Sequence, residues 1–246
     1  MISYARTDTG RSRKMNQDSV FASSTPVGML PNLFIVADGM GGHKAGDYAS
    51  RFVVERIVNM ANEYHSMDLV MFLRKAIEET NGHLYQESLK NPDFEGMGTT
   101  LVLAVIDNET MYVANVGDSR LYLLRDNLEQ ITRDHSLVEE MVSMGKLERG
   151  SESYKNQKNI ITRAMGILPT VDVDFFEVPL QECDIILMCS DGLTNMVDDA
   201  GISRKLKTTD TLEEQTDALI AEANENGGKD NITVILVEPQ ISEVRV

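Results

Sequence analysis

Three apolar, β-rich runs in the middle of the chain, Thr100 to Ile106, Met111 to Val116 and Leu121 to Leu124, are separated by only four residues each, D-N-E-T and G-D-S-R. Connections this short join antiparallel neighbours, because a parallel pair needs a crossover of a dozen residues or more. The spacing predicts an antiparallel meander and excludes a doubly wound nucleotide-binding sheet. Further strands are expected at Asn32 to Ala37, Ile160 to Ala164, Val171 to Val178, Asp184 to Ser190 and Ile232 to Val237, with a short one after Asp18. Apolar residues recurring at three and four predict helices from Ala45 to Tyr64 and from the cap Asp68 to Leu89. Two more are expected from Ser136 to Met144 and from Leu212 to Asn224. Strands clustered apart from helices indicate an α+β layering, most simply antiparallel sheets flanked by helices.

No repeat, low-complexity block or Pro/Ser-rich linker interrupts the 246 residues, so a single domain over 1–246 is expected. Lys and Arg number 23 against 39 Asp and Glu, a formal charge of −16. So acidic a surface argues against nucleic acid and against anionic membranes as partners, since both require basic patches. No apolar run approaches the ~18 residues of a membrane helix, and none at the N-terminus has signal-peptide length. Cys183 and Cys189 have no metal-ligand spacing and read as free, buried thiols of a reducing cytoplasm. With no heptad in view, a monomer is the expectation.

The informative feature is where the aspartates fall. Asp38 and Asp191 each end an apolar strand and precede Gly; Asp118 sits in the G-D-S-R hairpin; Asp230 stands just before the last strand; Asp18 precedes an early one. Taken singly, an Asp-Gly is more simply a turn. Taken together, five carboxylates at strand mouths can converge on one end of a sheet stack, where they repel one another unless a cation neutralises them. An all-oxygen set selects Mg²⁺ or Mn²⁺ over zinc. The run G-M-G-G-H-K-A-G lacks the G-K-[ST] ending of a P-loop, and its glycines suit close backbone approach better than nucleotide binding.

Eight motifs follow one another in order: G-R-S-R-K-M-N-Q-D (10–18), V-A-D-G-M-G-G-H-K-A-G (36–46), G-T-T-L-V (98–102), V-G-D-S-R (116–120), T-R-D-H-S-L-V (132–138), I-T-R-A-M-G (161–166), S-D-G-L (190–193) and K-D-N-I-T (229–233). Together they resemble the metal-dependent type 2C (PPM) Ser/Thr protein phosphatases in their compact bacterial form, across residues 4 to 237. The resemblance implies a central antiparallel β-sandwich with a pair of helices on each outer face, a four-layer αββα arrangement. It implies hydrolysis of phosphoserine and phosphothreonine by water shared between two ions, Mn²⁺ or Mg²⁺. It also implies partners among phosphorylated proteins, a bacterial Ser/Thr kinase and its substrates.

By the same resemblance Asp38 bridges both ions, the Gly39 carbonyl binds one, and Asp191 and Asp230 bind the other. Asp18 holds metal-bound water, and Asp118, with Asp191, helps bind a weaker third ion. Arg13 is the candidate for a bidentate clamp on the phosphate oxygens; Arg6, Arg11 and Lys14 read as a solvated basic patch. Where some relatives carry His two residues after the bridging Asp, this chain has Met40. His43, five residues after Asp38, is either a general acid or substrate contact, or a structural cap for the following helix. His65 and His83 read as helix residues without a chemical role, and His135 as one that fixes a helix start. The polar stretch Gly145 to Asn159 matches the family's flap beside the active site, with Lys146, Arg149, Lys155 and Lys158 placed to meet residues flanking a phosphorylated side chain.

Overall fold

The structure, a computed structural model, describes residues 1–42 and 45–240, with residues 155 and 156 described by their backbone only. In chain order the elements begin with β1 (Ile2–Asp8), β2 (Asp18–Ser23), β3 (Leu33–Met40), α1 (Ala45–Glu63) and α2 (Leu69–Lys90). The middle of the chain gives β4 (Gly98–Thr99), β5 (Leu101–Asp107), β6 (Thr110–Val116), β7 (Arg120–Leu124), β8 (Leu128–Gln130), α3 (Leu137–Ser143) and α4 (Glu152–Gln157). The last third gives β9 (Asp174–Pro179), β10 (Ile185–Cys189), α5 (Asp191–Thr194), α6 (Asp199–Leu206), α7 (Leu212–Glu225) and β11 (Ile232–Glu238).

Strand alternation builds the layers. In β3, Leu33, Ile35 and Ala37 join a core with α1 and α2, while Phe34 and Val36 point the other way into a second core. β11 repeats the pattern: Ile235 and Val237 enter that same second core, and Ile232, Val234 and Leu236 meet α6 and α7 in a third. Strands buried on both faces read as continuous apolar runs, which is why β3, β5, β10 and β11 are the most apolar segments of the chain. The result is two antiparallel sheets face to face, ordered β1-β11-β10-β7-β8 and β2-β3-β5-β6-β9, with β4 paired to β3. Helices cover both outer faces. Their starts are capped: Asp68 Oδ1 accepts from Met71 N at 3.0 Å, and Thr211 and Glu214 form a reciprocal capping box on α7. Among the described residues no helix is long and apolar enough to cross a membrane.

The meander stops short of its third strand. β5 and β6 pair through D-N-E-T, but β7 lies in the opposite sheet, between β10 and β8. Asp118 therefore stands at a corner where the chain changes sheets, not in a hairpin. Four extended residues reach about 13 Å, enough to cross the ~10 Å between packed sheets. Linker length excluded a parallel crossover without excluding this step. Gly117, at φ +105°, makes the corner, and a Cβ there would lie 2.7 Å from the Thr100 side chain. His135 braces it: Nδ1 accepts from Gly117 N and His135 N donates to Gly117 O, both at 3.0 Å.

Other expectations also shift. Ile160 to Ala164 forms no strand, only bridges from Ile161 to Ser136 and, just beyond it, from Met165 to Thr99, because its hydrogen bonds go singly to neighbouring loops. The stretch 145–159 is not wholly irregular: Ser151 Oγ accepts from Tyr154 N and caps the short helix α4. Cys189 is buried, but Cys183 is exposed in a turn at φ +66°. His65 lies in the loop after α1, and His83 faces solvent on α2.

Candidate metal centre

The antiparallel pairings bring one end of both sheets together. Asp18 opens β2 directly opposite Asp38 near the end of β3. Asp191 begins α5 two residues after β10 ends, and Asp230 precedes β11, antiparallel to β10. The sheet-changing corner adds Asp118. Asp38 stands within electrostatic reach of the other four, and Asp191 of Asp18, Asp118 and Asp230, at this end of the sandwich.

Each is held differently. Asp38 is fixed through its backbone: its N–H donates to Thr100 Oγ1 at 2.9 Å, and its carbonyl accepts from Thr100 N and Thr99 Oγ1, each at 2.9 Å. Thr100 Oγ1 in turn shares a 2.7 Å hydrogen bond with Ser119 Oγ, beside Asp118. Asp18 Oδ2 accepts from Ser190 Oγ at 2.8 Å and Thr233 Oγ1 at 2.6 Å. Since Thr233 gives its proton to the carboxylate, Thr7 Oγ1 donates to Thr233 at 2.7 Å and accepts from Asn16 at 2.8 Å. Asp191 Oδ2 accepts from Asn195 Nδ2 at 2.8 Å. Asp230 receives Arg13 Nη2 at 2.7 Å on one oxygen and Asn231 N at 2.9 Å on the other. Gly39 has no room for a side chain, since a Cβ would stand 2.1 Å from the Gly46 carbonyl.

The cluster is electrostatically expensive as bare carboxylates. Burial, then the neighbouring aspartates, raises the Asp118 pKa to about 8 and the Asp191 pKa to about 6. Asp18 rises to about 7 for the same leading reason, although its two hydroxyl donors pull it back. Asp38 is pushed well above the carboxylate range by burial and by the four other aspartates. Asp18 Oδ1, Asp118 Oδ1 and Asp191 Oδ1 are buried with no hydrogen-bond partner. Orphaned carboxylate oxygens and mutual repulsion are what a hard divalent cation relieves. Among the described residues, no three His, Cys, Asp or Glu side chains stand close enough to hold an ion alone. Mg²⁺-type ions need only one or two carboxylates each, with carbonyls and water completing the shell, so the set fits ions shared across the cluster.

A cavity of about 740 Å³ is lined by Asp118 and Asp191 of the cluster together with Arg149, Tyr154 and Lys158. Glu139 on α3 accepts from both Arg149 and the Tyr154 hydroxyl, which ties the 145–159 segment together. Arg120 lines the same cavity, chelating Asp134 with Nε and Nη2 and donating to Tyr122 at 2.8 Å. Arg13 lies against Asp230, whereas Arg6 is spent on Asp217. His43 lies outside the described residues. Thr100, Ser190, Thr233 and Asn231, within the motifs G-T-T-L-V, S-D-G-L and K-D-N-I-T, hold the aspartates and the Arg13 loop, work that the motifs themselves do not reveal.

Residues 8–236 match the profile of the family described as protein phosphatase 2C. The chain is 42% identical over 245 residues to the serine/threonine phosphatase stp of Listeria monocytogenes, covering 97% of this chain and 96% of that one. It is 41% identical over 238 residues to the protein phosphatase PhpP of Streptococcus pneumoniae, covering 94% of each. Its fold superposes on the crystal structure of the serine/threonine phosphatase Stp1 from Staphylococcus aureus with a TM-score of 0.88 at 36% identity, over 97% of this chain and 94% of that one.

Proposed function

Because the chain belongs to the protein phosphatase 2C family, and so is a metal-dependent Ser/Thr protein phosphatase acting on phosphorylated proteins, we propose that it uses two ions, Mn²⁺ or Mg²⁺, at the acidic end of its sandwich. The observation that carries this reading is the convergence of buried aspartates with orphaned oxygens and raised proton affinity. Asp38 and the Gly39 carbonyl would hold one ion, and Asp38, Asp191 and Asp230 the other. Asp118 with Asp191 would contribute to a weaker third. When bound, such ions acidify water for in-line attack on phosphorus and offset the charge of the phosphate.

The chain's own residues do the rest. Asp18, anchored by Ser190 and Thr233, keeps one oxygen free to orient water. Arg13, about half exposed, offers a guanidinium fork to the phosphate oxygens. That local positive charge matters in a protein of charge −16, whose overall field opposes phosphorylated substrates. The cavity below the 145–159 segment offers room for residues flanking the phosphorylated side chain. We read residues 1–246 as one domain, a cytoplasmic monomer that reverses the action of a Ser/Thr kinase.

The deciding assay is phosphate release from a phosphothreonine peptide with Mn²⁺, with EDTA, and with Asp38→Ala. Loss of turnover under both EDTA and the substitution is the expected result. Full turnover in EDTA, or in well-folded Asp38→Ala with Mn²⁺, would overturn the metal assignment.

A further inference from the structure

Arg13 sits on the loop that joins β1 to β2, a segment with no regular pairing of its own. A long, exposed side chain on such a loop is useful only if the loop is fixed. The fixing group is the side chain of Asn231, the residue after Asp230. Asn231 is buried, and its amide makes all its bonds to this one loop. Nδ2 donates to Thr9 O at 2.9 Å and to Met15 O at 3.0 Å, and Oδ1 accepts from Gln17 N at 2.8 Å. The orientation is unambiguous, since carbonyls only accept and the backbone N–H only donates.

Two further contacts close the loop onto the same stretch. Gly228 O accepts from Arg11 N at 2.8 Å and Ser12 N at 3.0 Å. Gly10, at φ +75°, lies so near that a Cβ would stand 2.1 Å from the Asp230 carbonyl. Arg13 is thus pinned on both sides, and its guanidinium lands on Asp230. No other side chain of similar size supplies two donors and one acceptor at this reach: Asp has no donor, and Ser is too short.

We infer that Asn231 is a positioning residue for the phosphate clamp: it sets the Arg13 loop against Asp230 and so governs substrate binding without touching substrate. The inference rests on the assignment of Arg13 to phosphate. A misplacement of an ångström at such a group is worth up to about a hundredfold in rate, and loss of one charge-assisted contact about tenfold in binding.

The test is a double-mutant cycle of Arg13→Ala and Asn231→Ala, reading KM and kcat on a phosphothreonine peptide, inhibition by inorganic phosphate, and Mn²⁺ affinity by calorimetry. Arg13→Ala is expected to raise KM and the phosphate inhibition constant about tenfold. Asn231→Ala should raise both as well, with kcat falling by a smaller factor than KM rises and with unchanged Mn²⁺ affinity, and the double variant should be no worse than Arg13→Ala. Losses that multiply in the double variant would overturn the proposal. So would Asn231→Ala lowering Mn²⁺ affinity and kcat at constant KM, which would place its effect on Asp230. If Asn231→Ala does not fold, Asn231→Ser, which keeps a polar group but cannot span three partners, is read by the same criteria. An Arg13→Ala enzyme with unchanged KM would instead remove the clamp reading, and this inference with it; the other failures leave the clamp standing.

Discussion

Thr100 holds Asp38 through one oxygen and one N–H. Its Oγ1 accepts from Asp38 N and bonds Ser119 Oγ, while its N–H donates to Asp38 O. Thr100→Val keeps the shape and removes the oxygen, leaving a buried N–H without a partner. The expected cost is about 1–3 kcal/mol of stability, measured by urea unfolding, together with a reduced kcat as Asp38 shifts. An unchanged midpoint would mean that Asp38 N finds another acceptor. The aspartates themselves could be picked out beforehand, because a carboxylate closing an apolar strand is unusual enough to notice. Thr100, Ser190 and Thr233 could not. Hydroxyl side chains are common in strands, and nothing in a string of letters says which face an oxygen takes or which carboxylate lies across the gap. Arg13 was marked by its motif, but its grip on Asp230 depends on a loop contact spanning most of the chain.

Long periodic segments were the legible ones. α1, α2 and α7 fall within a residue or two of where apolar spacing and caps place them, and β3, β10 and β11 follow their apolar runs. Less apolar elements escaped: β1, β8 and α6 carry too few apolar residues to stand out, and their stability comes from neighbours, as β1's does from its register with β11. The G-D-S-R step was misjudged for a related reason. Linker length limits reach, but the choice of sheet belongs to tertiary packing. Gly117→Ala tests what that step costs. The backbone needs φ +105°, and the added methyl would stand 2.7 Å from Thr100. The expected loss is about 2 kcal/mol or more, by thermal or urea unfolding, with displaced Asp118 lowering activity in the fraction that folds. Stability equal to that of the unaltered protein would show that the corner relaxes freely.

The whole acidic end of the molecule holds its protons tightly, and a cation bound there would compete with them. Asp118, Asp18 and Asp191 bind protons with pKa values of about 8, 7 and 6 in the fold, against about 3.9 in an unfolded chain. Between about pH 4 and pH 8 the folded state therefore holds more protons than the unfolded one, and stability falls as pH rises through that window. In EDTA the melting temperature should drop between about pH 5 and pH 8, and Asp118→Asn should flatten the curve. On the proposed metal site, Mn²⁺ would displace the protons, so the stabilisation it gives should be larger near pH 8 than near pH 5. A melting temperature that stays level in EDTA would show that the fold does not raise these carboxylates above their unfolded values. β11 has a consequence for biosynthesis. It is paired with β1 on one side and β10 on the other, and it follows directly on Asp230 and Asn231. A nascent chain whose β11 is still inside the ribosome has an N-terminal strand without its mate, an Arg13 loop without its fastening and an acidic cluster that lacks Asp230. On the proposed site, a product cut short before Asp230 is expected to lack phosphatase activity, because the strand that closes the sheet and the residues that fasten the Arg13 loop arrive together.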